Sequence, residues 1–354
     1  MDTDKWLVGA DACILVTGAG GFIGKRVVAQ LLQRGFTNMR CLARPPANSD
    51  RLRSFLGIAA DDTRVEIVEG NLLSRDDCLN ISADAQLIYH LAAGRGQKSY
   101  SDAYLNSVVT TRNLLDACLT QGCLRRFVSM SSFTVYTNRG KATGRVLDET
   151  CPLELHSALR GDPYCFAKVK QEEMIMEYGK NHDVPYTIIR PGVVYGPGNE
   201  KIHGRVGMDT FGIFLHLGGS NELPLSFVDN CADAMILAGI VKGIDGEAFN
   251  VVDDDLPSSR RFLRAYKQLV KRFQSIPVPR FLSYILCYLW ESYSVWSQGQ
   301  LPNSFNRKDW SAAWQKSSYT NEKIKSLLGW RQRIPTSDGL KIYFESCREK
   351  IANA

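Results

Sequence analysis

A glycine-rich turn between an apolar strand and a helix constrains the fold of this chain more than any other feature. The strand is predicted at residues 13–17 and the helix at 25–33, and between them glycine recurs at every third position. This spacing permits a tight turn, close approach of the backbone to a pyrophosphate, and close packing of the helix on the strand. The helix N-terminus favours an anion there, so the segment predicts a dinucleotide site. The predicted cofactor contacts in this turn are Gly18, Gly21, Phe22, Ile23 and Gly24.

Short β-branched segments alternate with amphipathic helical segments from residue 12 to about residue 189. This alternation is typical of βαβ units wound on a parallel sheet. Strands are predicted at residues 13–17, 39–43, 65–69, 85–90, 126–130, 186–190 and 248–252. We therefore predict an α/β fold with a doubly wound parallel sheet of the Rossmann type and a smaller, mainly helical C-terminal substrate lobe.

The residue that follows the second predicted strand indicates which dinucleotide binds. An NAD-preferring enzyme usually has an acidic residue about 20 positions after the glycine turn, where its carboxylate holds the ribose 2′-hydroxyl. Arg44 stands at that position, and residues 41–46 contain no carboxylate. Because a guanidinium can pair with a 2′-phosphate, we predict NADP, with NAD as the alternative. In that alternative Arg44 stacks on adenine or points to solvent.

Positive charge is concentrated in the last third of the chain. The formal net charge is +6, yet residues 258–354 hold 17 Lys and Arg against 6 Asp and Glu. This excess suggests an anionic partner, such as a diphosphate, a phosphopantetheine carrier or an anionic membrane surface, and a solvated basic face is the alternative. We predict that residues 10–196, with 225–255 returning to them, form the NADP-binding domain. Residues 197–224 and 256–350 then form a substrate-binding lobe.

Two helical segments of this region combine charge with large apolar side chains. Apolar residues from Phe262 to Phe273 recur at helical spacing and are flanked by Lys and Arg. Residues 281–296 are rich in Leu, Tyr and Trp, but a transmembrane helix needs about 20 apolar residues. We predict that residues 260–296 cover the substrate pocket, and the alternative is peripheral contact with a membrane surface.

Cysteine spacing and the N-terminal residues indicate the compartment. The 10 cysteines include no C-x-x-C pair, which fits neither a disulfide framework nor a zinc site. Residues 1–9 carry charged side chains and no apolar run, so no signal peptide is expected. We expect reduced thiols, no metal, and a cytoplasmic protein, with a peripheral membrane location as the alternative. Its expected partner is a small-molecule substrate, anionic or carrier-linked, and not a nucleic acid.

Two further motifs carry chemically active side chains. Tyr164 and Lys168 are one helical turn apart, so they share a helix face. Ser131 and Ser132 follow the predicted strand at 126–130, which puts a hydroxyl at the carboxyl edge of the sheet. In open α/β sheets ligands bind at that edge.

Together these motifs resemble the extended short-chain dehydrogenase/reductase family over residues 12–255. In chain order they are Thr17-Gly-x-x-Gly-x-x-Gly24, His90-Leu-Ala-Ala93, Ser131-Ser132, Tyr164-x-x-x-Lys168 and Arg190-Pro191-Gly192. The short stretch 199–224 and the aromatic C-terminal lobe resemble its 3β-hydroxysteroid dehydrogenase-like branch more than its sugar epimerases. The resemblance implies an NAD(P)-dependent oxidoreductase. A homodimer is the assembly typical of the family.

The resemblance also implies a role for each matching residue. Tyr164 acts as general acid and base on the substrate oxygen, and its pKa of about 10 must fall by several units to do so near pH 7. Lys168 supplies positive charge for this and binds the cofactor ribose. Ser132 hydrogen-bonds the reacting oxygen. Asn106 holds a proton-relay water, or is simply an exposed helical residue. The further cofactor contacts implied are Asn71, Leu72, Leu91, Ala92, Ala93, Lys168, Pro191 and Val193.

One position departs from the family pattern. Asn71 follows the third strand where the family usually has an Asp that reads the adenine amino group. The Asn side-chain oxygen can still accept a hydrogen bond, so a weakened contact is expected. His90 is expected to pack behind the cofactor without a catalytic role.

The residues after Ser132 reduce the number of reactions that the site is expected to perform. Nucleotide-sugar 4,6-dehydratases of the family need an Asp-Glu pair where this chain has Phe133 and Thr134, so dehydration is disfavoured. Epimerisation next to a carbonyl needs a Cys or similar acid at Thr134 and is disfavoured too. An NADP-dependent oxidoreductase acting on a secondary alcohol or ketone of a hydrophobic, carrier-linked or nucleotide-linked substrate remains. The alternatives are a nucleotide-sugar 4-epimerase with bound NAD and a non-catalytic NADP-binding sensor or scaffold.

Overall fold

The computed structural model describes residues 6–44, 49–94, 99–137, 146–210, 212–297, 306–314 and 316–353. Residues 1–5 lie outside these ranges. They belong to the N-terminal stretch in which no signal peptide is expected. Residues 45–46, which follow Arg44, also lie outside the described ranges. The strands are β1 (Ile14–Thr17), β2 (Met39–Ala43), β3 (Val65–Glu69), β4 (Leu87–His90), β5 (Arg126–Met130), β6 (Val146–Leu147), β7 (Tyr186–Pro191), β8 (Val193–Tyr195), β9 (Gly207–Thr210), β10 (Ile213–His216), β11 (Leu225–Phe227), β12 (Ala248–Val251), β13 (Ser275–Pro277) and β14 (Ser318–Tyr319).

The helices follow the strands in alternation through the first two thirds of the chain. They are α1 (Gly24–Gln33), α2 (Ser49–Leu56), α3 (Arg75–Ser82), α4 (Tyr100–Tyr104), α5 (Thr110–Gln121), α6 (Pro163–His182), α7 (Val228–Ile240), α8 (Ser259–Leu269), α9 (Arg280–Trp296), α10 (Arg307–Trp314), α11 (Glu322–Leu328) and α12 (Thr336–Ala352). A turn of π-helix, Leu105–Val109, joins α4 to α5. Among the described residues, no helix is both long and apolar enough to cross a membrane.

Seven strands form one parallel sheet in the order β12-β7-β5-β4-β1-β2-β3. The chain starts in the middle at β1, moves to one edge through β3, and then builds the other half from β4 to β12. This doubly wound order confirms the predicted fold class, and all seven predicted strands lie in the sheet. The order reverses between β1 and β4, and such a switch point opens a crevice at the carboxyl ends of the two strands.

The sheet is buried on both faces because helices cover it on both sides. Ile14 and Val16 point to a core that includes residues of α1, α7 and α11. Leu15, between them, points to the opposite core, which includes residues of α3, α5 and α6. A strand that is buried on both faces consists of a continuous run of apolar residues. Such runs are easy to recognise in the sequence, so the strands could be predicted from it.

The C-terminal part contains more β-strand than the sequence predicted, because a mainly helical lobe was expected there. Strands β9, β10 and β13 form a three-stranded sheet, and β8 pairs with β11. Helices α8 and α12 pack together through the aromatic residues Phe262, Tyr266, Tyr343 and Phe344. These strands have only three or four residues each, too few for a period of two to show. Residues 197–224, assigned from the sequence to the substrate-binding lobe without a predicted strand, contain β9 and β10.

Candidate active site

The glycine turn after β1 has the shape that a dinucleotide pyrophosphate requires. Gly18 has a φ of +70°, and a Cβ atom there would lie 3.0 Å from the backbone nitrogen of Ala92. A Cβ atom at Gly24 would lie 2.1 Å from the carbonyl oxygen of Gly18, so only glycine lets α1 approach β1 this closely. The first turn of α1 contains no acidic residue. No carboxylate of this turn itself competes with a bound phosphate, although the carboxylate of Asp229 on α7 lies 3.6 Å from Nε of Arg26.

A buried chain of hydrogen bonds runs beneath this turn. Thr17 Oγ1 lies 2.8 Å from Nδ1 of His90, and Nε2 of His90 lies 2.9 Å from Oγ1 of Thr111. The Thr111 hydroxyl donates to the Ser107 carbonyl, so it accepts from the His90 ring. His90 is thus a neutral imidazole protonated at Nε2, and burial lowers its pKa to about 3. The residue packs behind the turn, as the sequence predicted.

Helix α6 presents the two motif residues near its N-terminus. Asp162 caps the helix by accepting a hydrogen bond of 2.9 Å from the amide of Tyr164, and Pro163 suits the first helical position. Burial raises the pKa of Tyr164 to about 12, opposite to the fall expected from the sequence, although a hydrogen bond with Ser132 acts to lower it. Lys168 lies one turn further along, only 3% exposed, and burial lowers its pKa to about 8. Ser132 and Tyr164 are therefore in contact, and Lys168 lies on the same helix face as Tyr164. Their catalytic roles stay predictions.

Ser132 and Tyr164 line a cavity of about 430 Å³. Trp310 and Trp314 of α10 and Cys287 of α9 form part of its wall. Within the predicted cover, residues 260–296, it is therefore α9 that reaches the cavity. Three cations of α8, Arg260, Arg264 and Lys267, line a separate open groove of about 560 Å³ together with Arg272, which follows the helix.

The other predicted cofactor contacts lie at or shortly after the carboxyl ends of strands. Arg44 is exposed directly after β2, and Leu91, Ala92 and Ala93 follow β4 opposite Gly18. Leu72 is buried, and Pro191 ends β7. Val193 lies in the wall of the cavity.

Asn71 and Asn106 make local contacts. The side-chain oxygen of Asn71 accepts a hydrogen bond of 3.0 Å from the amide of Leu73, which leaves one lone pair for a ligand. The side-chain nitrogen of Asn106 donates to Asp102 at 3.0 Å. Lys168 has different hydrogen-bond partners: its ammonium donates to the Met130 carbonyl and to the Gln171 side chain. The water-relay role of Asn106 stays a prediction of the sequence.

Sequence reasoning missed two polar residues that follow Lys168 on α6. Gln171 is 1% exposed and joins Lys168 to Thr111 through hydrogen bonds of 2.9 and 2.8 Å. Glu172 forms a buried ion pair of 2.6 Å with Arg190. Gln171 and Glu172 lie three and four residues after Lys168, on the same helix face. That spacing is the signal that could have found them.

A doubly wound sheet with this turn and this Ser-Tyr-Lys group is the arrangement of NAD(P)-dependent enzymes of the extended short-chain dehydrogenase/reductase type, and comparison with known proteins places the chain in that class. The family model described as "NAD dependent epimerase/dehydratase family" matches residues 14–251. The chain belongs to this family.

Individual relatives span several activities. The chain is 26% identical over 345 residues to an Arabidopsis thaliana protein named trifunctional UDP-glucose 4,6-dehydratase/UDP-4-keto-6-deoxy-D-glucose 3,5-epimerase/UDP-4-keto-L-rhamnose-reductase RHM2, covering 93% of this chain and 46% of that protein. It is 30% identical over 191 residues to cinnamoyl-CoA reductase 1 of Oryza sativa subsp. japonica, covering 53% and 55%. It is 24% identical over 379 residues to 3beta-hydroxysteroid-dehydrogenase/decarboxylase isoform 1 of Arabidopsis thaliana, covering 98% and 80%. The chain thus spans about half the length of the first two relatives.

Solved structures share the fold over almost the whole chain. UDP-glucuronic acid 4-epimerase from Bacillus cereus, in complex with UDP-glucuronic acid and NAD, matches with a TM-score of 0.70 and 21% identity over 96% of this chain and 99% of that one. The protein gox2253 matches with a TM-score of 0.74 and 20% identity over the same shares. At this level of identity the likeness shows the fold alone.

Proposed function

We propose that the protein uses NADP to interconvert a secondary alcohol and a ketone on a substrate with an apolar body and an anionic or carrier-linked end. The observation that carries the proposal is the position of Tyr164. It shares a cavity wall with Ser132, and the buried ammonium of Lys168 lies one helical turn away. A phenol, a hydroxyl and a cation so placed suit proton transfer at a substrate oxygen.

Each group has a distinct task. Tyr164 gives a proton to the ketone oxygen or takes one from the alcohol, and Ser132 donates a hydrogen bond to the same oxygen. Lys168 keeps positive charge near the phenol, which favours the phenolate. The glycine turn and the N-terminus of α1 would hold the pyrophosphate of NADP, and Lys168 would hold its ribose. When bound, the nicotinamide accepts or supplies the hydride.

The cavity lining supports the proposed substrate class. Phe133, Met208, Trp310 and Trp314 supply apolar surface, Arg160 and Arg205 supply positive charge, and Asp162 contributes a carboxylate. Apolar walls with a few placed polar groups are typical of small-molecule sites. Two of the relatives are named for a coenzyme A ester and a hydroxysteroid, which are carrier-linked and hydrophobic substrates respectively.

The choice of NADP rests on cations at the adenosine end of the cleft. Arg44 stands exposed at the end of β2, where an acidic residue would favour NAD. The ammonium of Lys25, in the first turn of α1, lies 4.2 Å from the centre of the Phe55 ring on α2. Burial and the nearby charges of Arg26 and Arg51 lower the pKa of Lys25. This excess of positive charge suits a 2′-phosphate.

A nucleotide-sugar 4-epimerase with bound NAD is the second candidate. It is favoured by the shared fold with an epimerase solved with UDP-glucuronic acid and NAD, and Arg160 and Arg205 could face a diphosphate. The nucleotide released by denaturing the purified protein separates the two candidates. Exchangeable NADP, or none, with NADPH-dependent reduction of ketones supports the reductase. Stoichiometric NAD with interconversion of UDP-sugars supports the epimerase.

A third outcome would contradict both reactions. If NADP binds but no ketone or UDP-sugar is converted, and Tyr164→Phe changes no property of the protein, a sensor or scaffold is the better account. The cytoplasmic location and the homodimer expected from the sequence stay predictions. Measuring the molecular mass of the purified protein in solution tests the predicted homodimer.

A further inference from the structure

Helix α9 leaves most of its large apolar side chains exposed. Among its described side chains the buried ones are Ser283, Cys287 and Ser294, each no more than 5% exposed, and Trp290 is half-buried beside them. The side chains on the opposite face are 40% to 76% exposed, and they are Phe281, Leu282, Ile285, Leu289, Tyr293 and Trp296. A surface helix normally buries its apolar face. The reversed arrangement therefore indicates that something apolar covers this face.

The outer face of α9 carries no charge. Arg280 and Glu291 are the charged residues of the helix, and both are engaged at its sides. Arg280 lies over the Trp310 ring at 5.2 Å, and Glu291 pairs with Arg307 at 2.8 Å. A helix of 17 residues is about 25 Å long, so the exposed apolar side chains form a long strip that is interrupted by the exposed Ser292. Exposed patches of this kind mark interaction sites.

The surroundings of the strip are basic. Residues 256–290 contain seven Lys and Arg and no Asp or Glu. Arg260, Arg264, Lys267 and Arg272 line the open groove beside α8, and the groove wall ends at Pro277, three residues before α9 begins. The apolar strip and the cationic groove are close neighbours along the chain. Together they match the chemistry of an anionic lipid surface, in which an apolar layer lies beneath charged head groups.

We propose that α9 and the basic groove of α8 dock the protein on the surface of an anionic lipid bilayer. The helix lies in the interface plane with its outer face about 5–10 Å deep among the lipids, as amphipathic surface helices do. The cations of the groove then meet the head groups. Cys287, on the inner face of α9, lines the cavity that contains Tyr164, so docking sets that cavity directly beneath the membrane surface. The proposal does not depend on which reaction the site performs.

Vesicle sedimentation with the full chain tests the proposal. We expect binding to phosphatidylcholine vesicles that contain about a third phosphatidylglycerol, weak binding to pure phosphatidylcholine, and release by high salt. Ile285→Gln with Leu289→Gln, and separately Arg264→Gln with Arg272→Gln, should each lower the partition coefficient about tenfold or more. Equal binding to both vesicle types, or no binding, would overturn the proposal.

Matched controls exclude a general effect of added polarity or lost charge. Leu119 on α5 is 39% exposed, and Leu119→Gln should leave binding unchanged. Arg125→Gln with Lys180→Gln removes two exposed cations near the amino ends of β5 and β7, and it should also have no effect. Losses equal to those of the test variants would contradict docking through α9 and α8.

Two further measurements keep the test decisive if a variant folds poorly. Trp296 is 76% exposed, so brominated lipids should quench its fluorescence, and Trp296→Phe should remove that part of the quenching. Sizing of the protein without lipid tests a second copy of the chain as the covering partner. A dimer that Ile285→Gln with Leu289→Gln dissociates, together with no vesicle binding, would assign the strip to self-association and reject the lipid surface.

Discussion

The ammonium nitrogen of Lys168 lies 2.9 Å from the side-chain oxygen of Gln171 and 2.6 Å from the Met130 carbonyl oxygen. A buried ammonium needs such acceptors, because an unpaired charge would be very costly there. The side-chain nitrogen of Gln171 in turn donates to Thr111, which also accepts from His90. Gln171 thus fixes Lys168 relative to the floor of the glycine turn. We regard it as a positioning residue.

Gln171→Leu should lower kcat by roughly 10- to 100-fold, since a hydrogen bond to a charged group contributes about 1.5–3 kcal/mol. Loss of the acceptor disfavours the charged form, so the pKa of Lys168, about 8, should fall further. The alkaline limit of activity then moves to lower pH. Gln171→Glu keeps an acceptor and adds negative charge, so its limit should move to higher pH. A purely structural role would lower activity without opposite shifts in the pH profile. Gln121→Leu, at the exposed end of α5, is the control.

Tyr164→Phe should reduce turnover by roughly 10²- to 10⁴-fold, the usual contribution of general acid and base catalysis. Nucleotide affinity, measured by fluorescence titration, should not change. Tyr178→Phe is the matched control, because Tyr178 lies on the same helix and bonds to Asp116 on α5. Near wild-type turnover of the Tyr164 variant would remove this residue from the chemistry.

Much of the fold followed from the sequence, because buried parallel strands have a strong local signature. Ile14, Leu15 and Val16 are fully buried, and such runs stand out from their polar flanks. The glycine turn could be predicted equally well, since the backbone geometry at Gly18 and Gly24 excludes other residues. Ser132, Tyr164 and Lys168 were found from short motifs whose placement depends on these same elements.

Contacts between distant elements could not be read in this way. The Gln171–Thr111–His90 chain joins α6, α5 and β4, and no local pattern marks which polar residues will meet. The strands β9, β10 and β13 were missed because each has three or four residues. The apolar content of α9 was plain, but composition cannot tell which face of a helix is covered. The sequence favours a pocket cover with membrane contact as the alternative, and this choice stays a prediction.

The buried imidazole of His90 should make stability depend on pH. Its folded-state pKa of about 3 lies below an unfolded value of about 6.5. The stabilisation is therefore complete above pH 6.5 and is lost as the pH falls from there toward 3. The loss is about 1.36 kcal/mol per pH unit for one proton. Urea unfolding at pH 7 and pH 5 measures it.

The control for this prediction is His90→Gln, whose amide can bond to Thr17 and Thr111 but does not titrate. Burial raises the pKa of Asp253 to about 6, which stabilises the folded state in acid and opposes the effect of His90. The quantity to compare is therefore the difference between wild type and variant. An identical pH dependence in both proteins would show that His90 takes up a proton in the folded state.

The Arg190–Glu172 pair should be a strong determinant of stability. Two nitrogens of Arg190 lie 2.6 to 3.2 Å from the Glu172 oxygens, and their side chains are only 6% and 1% exposed. Glu172→Leu leaves a buried guanidinium unpaired and should lower the free energy of unfolding by about 3–5 kcal/mol. Glu172→Leu with Arg190→Met should recover much of this loss. No recovery in the double variant would show that the charges stabilise beyond their mutual pairing. Chemical denaturation measures both variants.

Cofactor preference should depend on Arg44. Pairing of its guanidinium with a 2′-phosphate contributes on the order of 1.5–3 kcal/mol, so Arg44→Ala should weaken NADPH binding roughly 10- to 100-fold. NADH has no 2′-phosphate, and its affinity should hardly change. Arg112→Ala, which removes an exposed cation from α5, should affect neither nucleotide. Titration of both nucleotides measures these affinities. Equal losses of affinity for NADPH and NADH would mean that Arg44 contacts adenine. The proposal that the protein uses NADP would then lose its main support.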